Sequence, residues 1–158
     1  MKSLGTWVCG GALLAAAVAG SGSVSADTKK QDNRCDKYEL VDGSYTWSQA
    51  RVDAVSRGGR LATASSIEEW NCVLQALGGG TGWIGGSDLQ SDGEWRWDVP
   101  KNGLFYKGSY PDGRSFGYTN WGGSEPNGGT GENCLQAYDG GWNDLGCDGG
   151  LNYVIRYP

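Results

Sequence analysis

From residue 35 onward the apolar positions follow two rhythms, helical first and strand-like later. Lys37-Tyr-Glu-Leu-Val41 alternates weakly and predicts a strand ended by Asp42-Gly43. Thr46 predicts a helix start, because Thr46 and Gln49 form a capping-box pair that satisfies two orphan amides reciprocally. Trp47, Ala50 and Ala54 fall on one face of that helix, and Gly58-Gly59 closes it. Ser65 and Glu68 predict a second capping box. Ile67, Trp70, Leu74 and Leu77 then recur at helical spacing as far as Gly78-Gly79-Gly80. Cys72 lies off that stripe, at the helix edge, where it can reach a partner.

After Gly80 the pattern changes to short strands and long connections. Trp83-Ile84-Gly85-Gly86 predicts a short apolar strand. Glu94-Trp-Arg-Trp97 alternates strictly, with Trp95 and Trp97 on one side. The segment 98–118 is rich in Gly, Tyr and Pro, has no clear period and is expected to be a long structureless middle, which in a small domain is more often functional than idle. Leu135 to Tyr138 and Asn152 to Tyr157 predict the remaining strands. Two early helices and later short strands predict an α+β domain. Of the eight tryptophans, Trp47, Trp70, Trp83, Trp95 and Trp97 sit in core patterns. Trp121 and Trp142 are expected to be walls that position a neighbouring loop.

Composition and charge narrow the function. Lys2, the apolar run from Trp7 to Ala19 and Val24-Ser25-Ala26 predict a secretory signal over residues 1–26, cut before Asp27. That run is shorter than the roughly 20 apolar residues a membrane span needs, and Thr6-Trp7-Val8 is no lipobox. A flexible polar tail (27–34) and one domain (35–158) follow, in a secreted or periplasmic protein. Of five cysteines, Cys9 leaves with the signal. The even remainder, Cys35, Cys72, Cys134 and Cys147, predicts two disulfides in an exported chain. The absence of His removes Ser-His and Cys-His catalysis and, with no CxxC pair, a zinc site. A net charge of −5 argues against nucleic acid as a partner. Between Asp112 and Asp148 six acids face one base, Arg114. Such a segment either holds a cation or is a solvated acidic loop.

Three of those six acids fall in three short strings: Glu125-Pro126-Asn127, Glu132-Asn133-Cys134 and Trp142-Asn143-Asp144. Glu125, Glu132, Asp144, Asn127 and Asn143 supply hard oxygen donors, the type Ca2+ takes. A glycosidase reading would pair Glu125, Glu132 and Asp144 across a scissile bond. The interleaved Asn residues suit coordination better, and a neighbouring Ca2+ would lower the pKa that a catalytic acid needs raised. The expectation is a binding protein and no enzyme.

Read together, these residues resemble the C-type lectin domain, in that family's order from Tyr38 to Tyr157. Thr46-Trp47-Ser-Gln-Ala50 with Gly58-Gly59-Arg60-Leu61-Ala62 looks like its first helix and the turn after it, and Ser65 to Leu77 like its second. Trp83-Ile84-Gly85-Gly86, Thr119-Asn120-Trp121, the three acidic strings and Cys147 complete the series. The resemblance implies a C-type lectin-like fold, with short antiparallel sheets and a long calcium-binding loop region. It implies Glu125, Asn127, Glu132, Asn143 and Asp144 as ligands both of Ca2+ and of a carbohydrate, with a cis Glu125–Pro126 bond. The order Glu-Pro-Asn resembles the mannose-type form, suited to vicinal equatorial hydroxyls of mannose, glucose, N-acetylglucosamine or fucose. A Cys134–Cys147 bridge across the loop is implied, and with it a Cys35–Cys72 staple. The chain departs from the family where Ala54 and Arg156 stand in place of a helix-to-last-strand disulfide, as in bacterial-type members. Gly128 and Asn133 stand where some members place Asp for additional Ca2+, so one site is expected. The alternative is an adhesive or protein-binding module with a structural Ca2+ and no sugar. The oligomeric state is left open, since no stalk is visible in the chain.

Overall fold

The computed structural model describes residues 33–158. The expected signal segment lies outside the described residues. Of the expected tail, Asn33 and Arg34 are described and open a 3-10 helix, Asn33–Lys37. Strand β1 (Tyr38–Tyr45) leads to helix α1 (Trp47–Ser56), the short β2 (Arg60–Leu61) and helix α2 (Ile67–Leu77). There follow β3 (Gly82–Ser87), β4 (Glu94–Trp97), β5 (Leu104–Lys107), β6 (Arg114–Ser115), β7 (Cys134–Tyr138), β8 (Gly141–Leu145) and β9 (Leu151–Arg156). The sheet runs β1-β9-β3-β4-β5-β6, with β7 added to β3 and β8 to β7. β3 and β9 are parallel and the other pairings antiparallel. The architecture is the expected α+β fold, with two helices and a mixed sheet.

Local signals set α1 where its sequence places it. Thr46 caps the helix in a complete box with Gln49, and Trp47, Ala50 and Ala54 are its buried face. α2 begins one residue later than Ser65 and Glu68 suggest. Ser66 is the cap and accepts from Glu69 N. Glu69 Oε2 meanwhile accepts from the amide and hydroxyl of Ser65 and from Thr63 Oγ1, while its Oε1 binds Arg156 Nη1 at 2.9 Å. That tertiary set decides which serine caps. Trp70, Val73 and Leu77 form the buried stripe, and Ile67 is exposed.

Three strand expectations are corrected. β1 does not stop at Asp42-Gly43; it continues to Tyr45 through an irregularity in its pairing with β9, with Gly43 N donating to Asn152 Oδ1. The segment 98–118 is not structureless, since β5 and β6 extend the sheet within it. Trp142-Asn143-Asp144 lies on a strand rather than in a loop. The β7–β8 register pairs Tyr138 with Gly141, leaving Asp139-Gly140 as a two-residue hairpin turn, a strong short-range hairpin signal.

The core holds two clusters. Trp70, Ile84, Trp95, Trp97, Leu135, Trp142 and Val154 belong to one, and Trp47, Leu61, Trp83, Tyr153 and Ile155 to the other. Buried indoles usually find partners: Trp47 Nε1 donates to Ile84 O at 2.9 Å and Trp83 Nε1 to Tyr45 O at 2.8 Å, whereas Trp97, Trp121 and Trp142 keep Nε1 unpartnered. Both implied disulfides are formed. Cys35–Cys72 ties the N-terminal 3-10 helix to α2, and Cys134–Cys147 closes the β7–β8 end. Among the described residues no helix is long and apolar enough to cross a membrane.

Candidate metal and ligand site

Asp144 is the residue around which the acidic strings gather. It lies on β8 opposite Leu135, on the same inward face as Trp142, and is only 1% exposed. A buried carboxylate needs donors. Asn127 N reaches Asp144 Oδ1 at 3.1 Å and Gly128 N reaches Oδ2 at 2.7 Å. The loop carrying Glu125-Pro126-Asn127 therefore hangs on Asp144. Each carboxylate oxygen keeps a second lone pair beyond these bonds. The Glu125–Pro126 bond is cis.

Glu125 and Glu132 flank this anchor. Glu125 Oε2 is buried and has no hydrogen-bond partner. Burial, then the hydrogen-bonded Asp144 carboxyl and its charge, then the Glu132 charge push the Glu125 carboxyl up to about 7. Glu132 is also raised, by burial first and then by Asp144. The ion pairs among the described residues include Arg51–Asp98, Arg57–Asp53, Arg96–Glu94, Lys107–Glu94 and Arg156–Glu69. None of them reaches Glu125, Glu132 or Asp144, and no cationic side chain is among the influences on the Glu125 and Glu132 carboxyls.

Glycines make this closeness possible. A Cβ on Gly128 would stand 2.2 Å from Glu132 Oε2 and 2.3 Å from Glu132 Cβ. The glycine therefore admits Glu132 to the site, at one of the positions where an extra metal ligand was sought in sequence. The other, Asn133, turns its amide to Thr130 O. Gly141 has φ +130°, and a Cβ there would be 2.6 Å from Asn120 O. That close approach lets Trp142 N bond Asn120 O and Gly122 N bond Trp142 O. Trp142 is fully buried, with edge-on contacts to Trp70, Trp97 and Trp121. Trp121 and Trp142 are the walls expected of them.

The five expected ligands are not placed alike. Glu125, Glu132 and Asp144 are within electrostatic reach of one another, and Asn127 joins them through its backbone, with its side chain exposed. Asn143, adjacent to Asp144 on β8, projects to the opposite face by strand alternation. Its Nδ2 donates to Gln136 Oε1, Gln136 Nε2 donates to Thr81 Oγ1, and Thr81 Oγ1 donates to Ala137 O. This relay occupies Nδ2 and leaves Oδ1 as the acceptor. Gln136 and Thr81 escaped sequence reading, because Gln136 faces Asn143 only through the β7–β8 register. Asp88 also escaped it. Asp88 is buried in the turn after β3, with Oδ1 unpartnered and Oδ2 accepting from Gly93 N. Burial first, and then the charges of Asp92 and Asp144, raise its pKa.

Among the described residues no three acidic, Cys or His side chains form a closed metal cluster by themselves. A shell here requires amide oxygens as well. The donor chemistry fits Ca2+, which takes carboxylate, amide and carbonyl oxygen. The buried orphan Glu125 Oε2 and the gathered carboxylates fit a cation of that kind. A cavity of about 350 Å3, lined by residues such as Trp47, Arg51, Trp97 and Asp98, contains none of these donors.

The family model for the lectin C-type domain matches residues 43–155. The low affinity immunoglobulin epsilon Fc receptor of Mus musculus is 36% identical over 112 residues, which is 70% of this chain and 30% of the receptor. The type-2 ice-structuring protein of Brachyopsis segaliensis is 32% identical over 107 residues, covering 66% of this chain and 55% of that protein. The chain thus spans less than two thirds of these relatives. A crystal structure of the cow C-type carbohydrate-recognition domain of CD23, in the presence of GlcNAc2Man3 oligosaccharide, superposes with a TM-score of 0.60 at 32% identity. It covers 75% of this chain and 84% of that one.

Proposed function

Since the chain belongs to the C-type lectin domain family, we propose that it is a calcium-dependent carbohydrate-binding protein. Glu125, Asn127, Glu132 and Asp144 would hold its ion, and Asn143, whose side chain lies on the other face of β8 with Nδ2 on Gln136, would join them by turning its free Oδ1 toward the site. Proteins of this family are non-enzymatic binding proteins and often bind Ca2+; the chain is not an enzyme. One observation carries the proposal: a buried, partnerless Glu125 oxygen beside two further carboxylates, with no cationic side chain among the influences on its carboxyl. When bound, Ca2+ supplies positive charge and coordination positions beyond the five side chains, since it accepts about six to eight oxygens. The chain's own groups set the selectivity. Carboxylates accept from two adjacent sugar hydroxyls, while an Asn amide donates to them, so acids and amides share the work of orienting a diol. The order Glu125-Pro126-Asn127 supports a mannose-type preference, for mannose, glucose, N-acetylglucosamine or fucose. The CD23 domain solved with GlcNAc2Man3 supports it as well. Residues 1–26 are read as a secretory signal, and two disulfides mark a domain of the extracellular type, so the place of action is secreted or periplasmic. Ala54 and Arg156 support the bacterial-type form without a bridge between α1 and β9.

A glycan panel probed with and without EGTA tests the proposal. Binding lost on chelation and restored by Ca2+ is the expected result. A second reading, favoured by the similarity to an ice-structuring protein, is a module with a structural Ca2+ and a non-carbohydrate partner. Attachment that free mannose does not compete away, together with a silent panel, is its signature.

A further inference from the structure

The β5–β6 hairpin and the residue after it carry two half-exposed aromatic side chains. Phe105 and Tyr106 on β5 are buried, whereas Tyr110 is 54% and Phe116 52% exposed. Among the described residues these are the two aromatic members of the exposed large hydrophobics. The hairpin base is fixed: Tyr106 pairs with Ser115, Lys107 pairs with Arg114, and Phe116 N bonds Phe105 O. Its tip is fixed to the candidate site, because Tyr110 N donates to Pro126 O at 2.9 Å. Tyr110 therefore stands against the middle residue of Glu125-Pro126-Asn127 with its ring uncovered. The neighbouring Phe116 is already covered on one face by the Arg114 guanidinium, 5.4 Å from the ring centroid.

We propose that Tyr110 is the platform of a second saccharide subsite, holding the residue next to the one at Glu125 and Asn127 in a neutral oligosaccharide. This rests on the reading of the acidic cluster as a calcium-dependent sugar site and adds to it a length preference. A pyranose with equatorial hydroxyls presents an apolar C–H face that matches an aromatic ring. A tyrosine offers such a surface at low conformational cost, with a hydroxyl at the rim for a sugar oxygen. On the hairpin itself Asp112 stands beside Lys107, whose Nζ is held by Glu94, and Arg114, which lies over Phe116. The acids that bear on a sugar here are therefore Glu125, Glu132 and Asp144 of the adjoining site, and like charges across an interface oppose an acidic sugar.

The experiment is calorimetry in saturating Ca2+ with α-methyl mannoside and with linear mannotriose, on the wild-type chain, Y110A and Y110F. The trisaccharide is expected to bind the wild type roughly three- to tenfold tighter than the monosaccharide. Y110A brings the two ligands to within about twofold, and Y110F retains most of the difference. Equal affinity of the wild type for both ligands overturns the subsite, and so does a trisaccharide advantage that survives in Y110A. Ca2+ titrated alone into each variant is the control. Weakened metal binding in Y110A assigns the residue to the metal loop and overturns the platform. Absence of any calcium-dependent sugar heat in the wild type is a different pattern, which overturns the lectin reading itself.

Discussion

Replacing Gly128 by alanine isolates one geometric feature of the site. Gly128 has φ −82° and ψ −3°, a conformation open to any residue, so alanine brings no backbone penalty of its own. The difficulty is space, since the new methyl would lie 2.2 Å from Glu132 Oε2, 2.3 Å from its Cβ and 2.4 Å from its Cγ. Rotating the side chain can relieve the contacts to Oε2 and Cγ; the contact to Cβ requires the backbone of Glu132 to move. Forced insertion of this kind costs about 1–3 kcal/mol. For a domain of this size that lowers Tm by roughly 3–15 °C. Displacement of Glu132 also weakens Ca2+ by about tenfold or more. Gly129 is the internal control. It has φ +50° and no atom within 4 Å of a built Cβ, so Gly129→Ala meets strain without collision. It should lower stability by about 1 kcal/mol and leave Ca2+ affinity near wild type. Thermal unfolding in EGTA gives the stability change and Ca2+ calorimetry the affinity change. G128A with wild-type values in both assays would show that Glu132 does not pack against residue 128, and the proposed shell would lose a member.

Other substitutions probe separate parts of the structure. Glu69→Gln should destabilise the domain by about 1–3 kcal/mol, because Glu69 joins α2 to Arg156 and the Ser65 turn. Burial is the largest influence on Glu69 and raises its pKa, but Ser65, Arg156 and Thr63 together outweigh it, and the net shift is downward. A lowered carboxyl contributes stability above its unfolded pKa of roughly 4.3 and loses it as pH falls through the folded value. The wild type should therefore lose stability on acidification below about pH 4.3, and Glu69→Gln should show a shallower decline in urea unfolding. Gln136→Ala frees the Asn143 amide and should weaken Ca2+-dependent sugar binding by about tenfold, with Tm nearly unchanged; unaltered affinity would remove the relay from the site. The double substitution Glu125→Gln and Asn127→Asp should move preference on a calcium-loaded glycan panel from mannose toward galactose, and an unchanged panel would count against the proposed orientation of donors and acceptors.

The contrast between α1 and α2 shows how far local signals reach. Thr46 and Gln49 are neighbours in sequence and cap α1 where expected. Ser65 and Ser66 each have a Glu three residues ahead, and the choice between them falls to Arg156, 87 residues from Glu69. β1 passes through Asp42-Gly43 because β9 pairs beyond it, which no local pattern records. β8 was missed because glycines flank it, although Asp139-Gly140 marked its turn. The acid-bearing strings were visible as residue types, and their order carried the family resemblance and with it both disulfides. The support around them is non-local: Asp144 holding the Asn127 and Gly128 amides, Gln136 facing Asn143, Tyr110 bonded to Pro126, and Asp88 buried near the same charges.

Ca2+ titrated by calorimetry into the EGTA-stripped, dialysed domain, followed by α-methyl mannoside, measures the proposed shell at its source. One equivalent of Ca2+ should bind with measurable heat, and the sugar should give heat only after it. No heat with Ca2+, or sugar heat undiminished in excess EGTA, would contradict a saccharide site built on Glu125, Glu132 and Asp144.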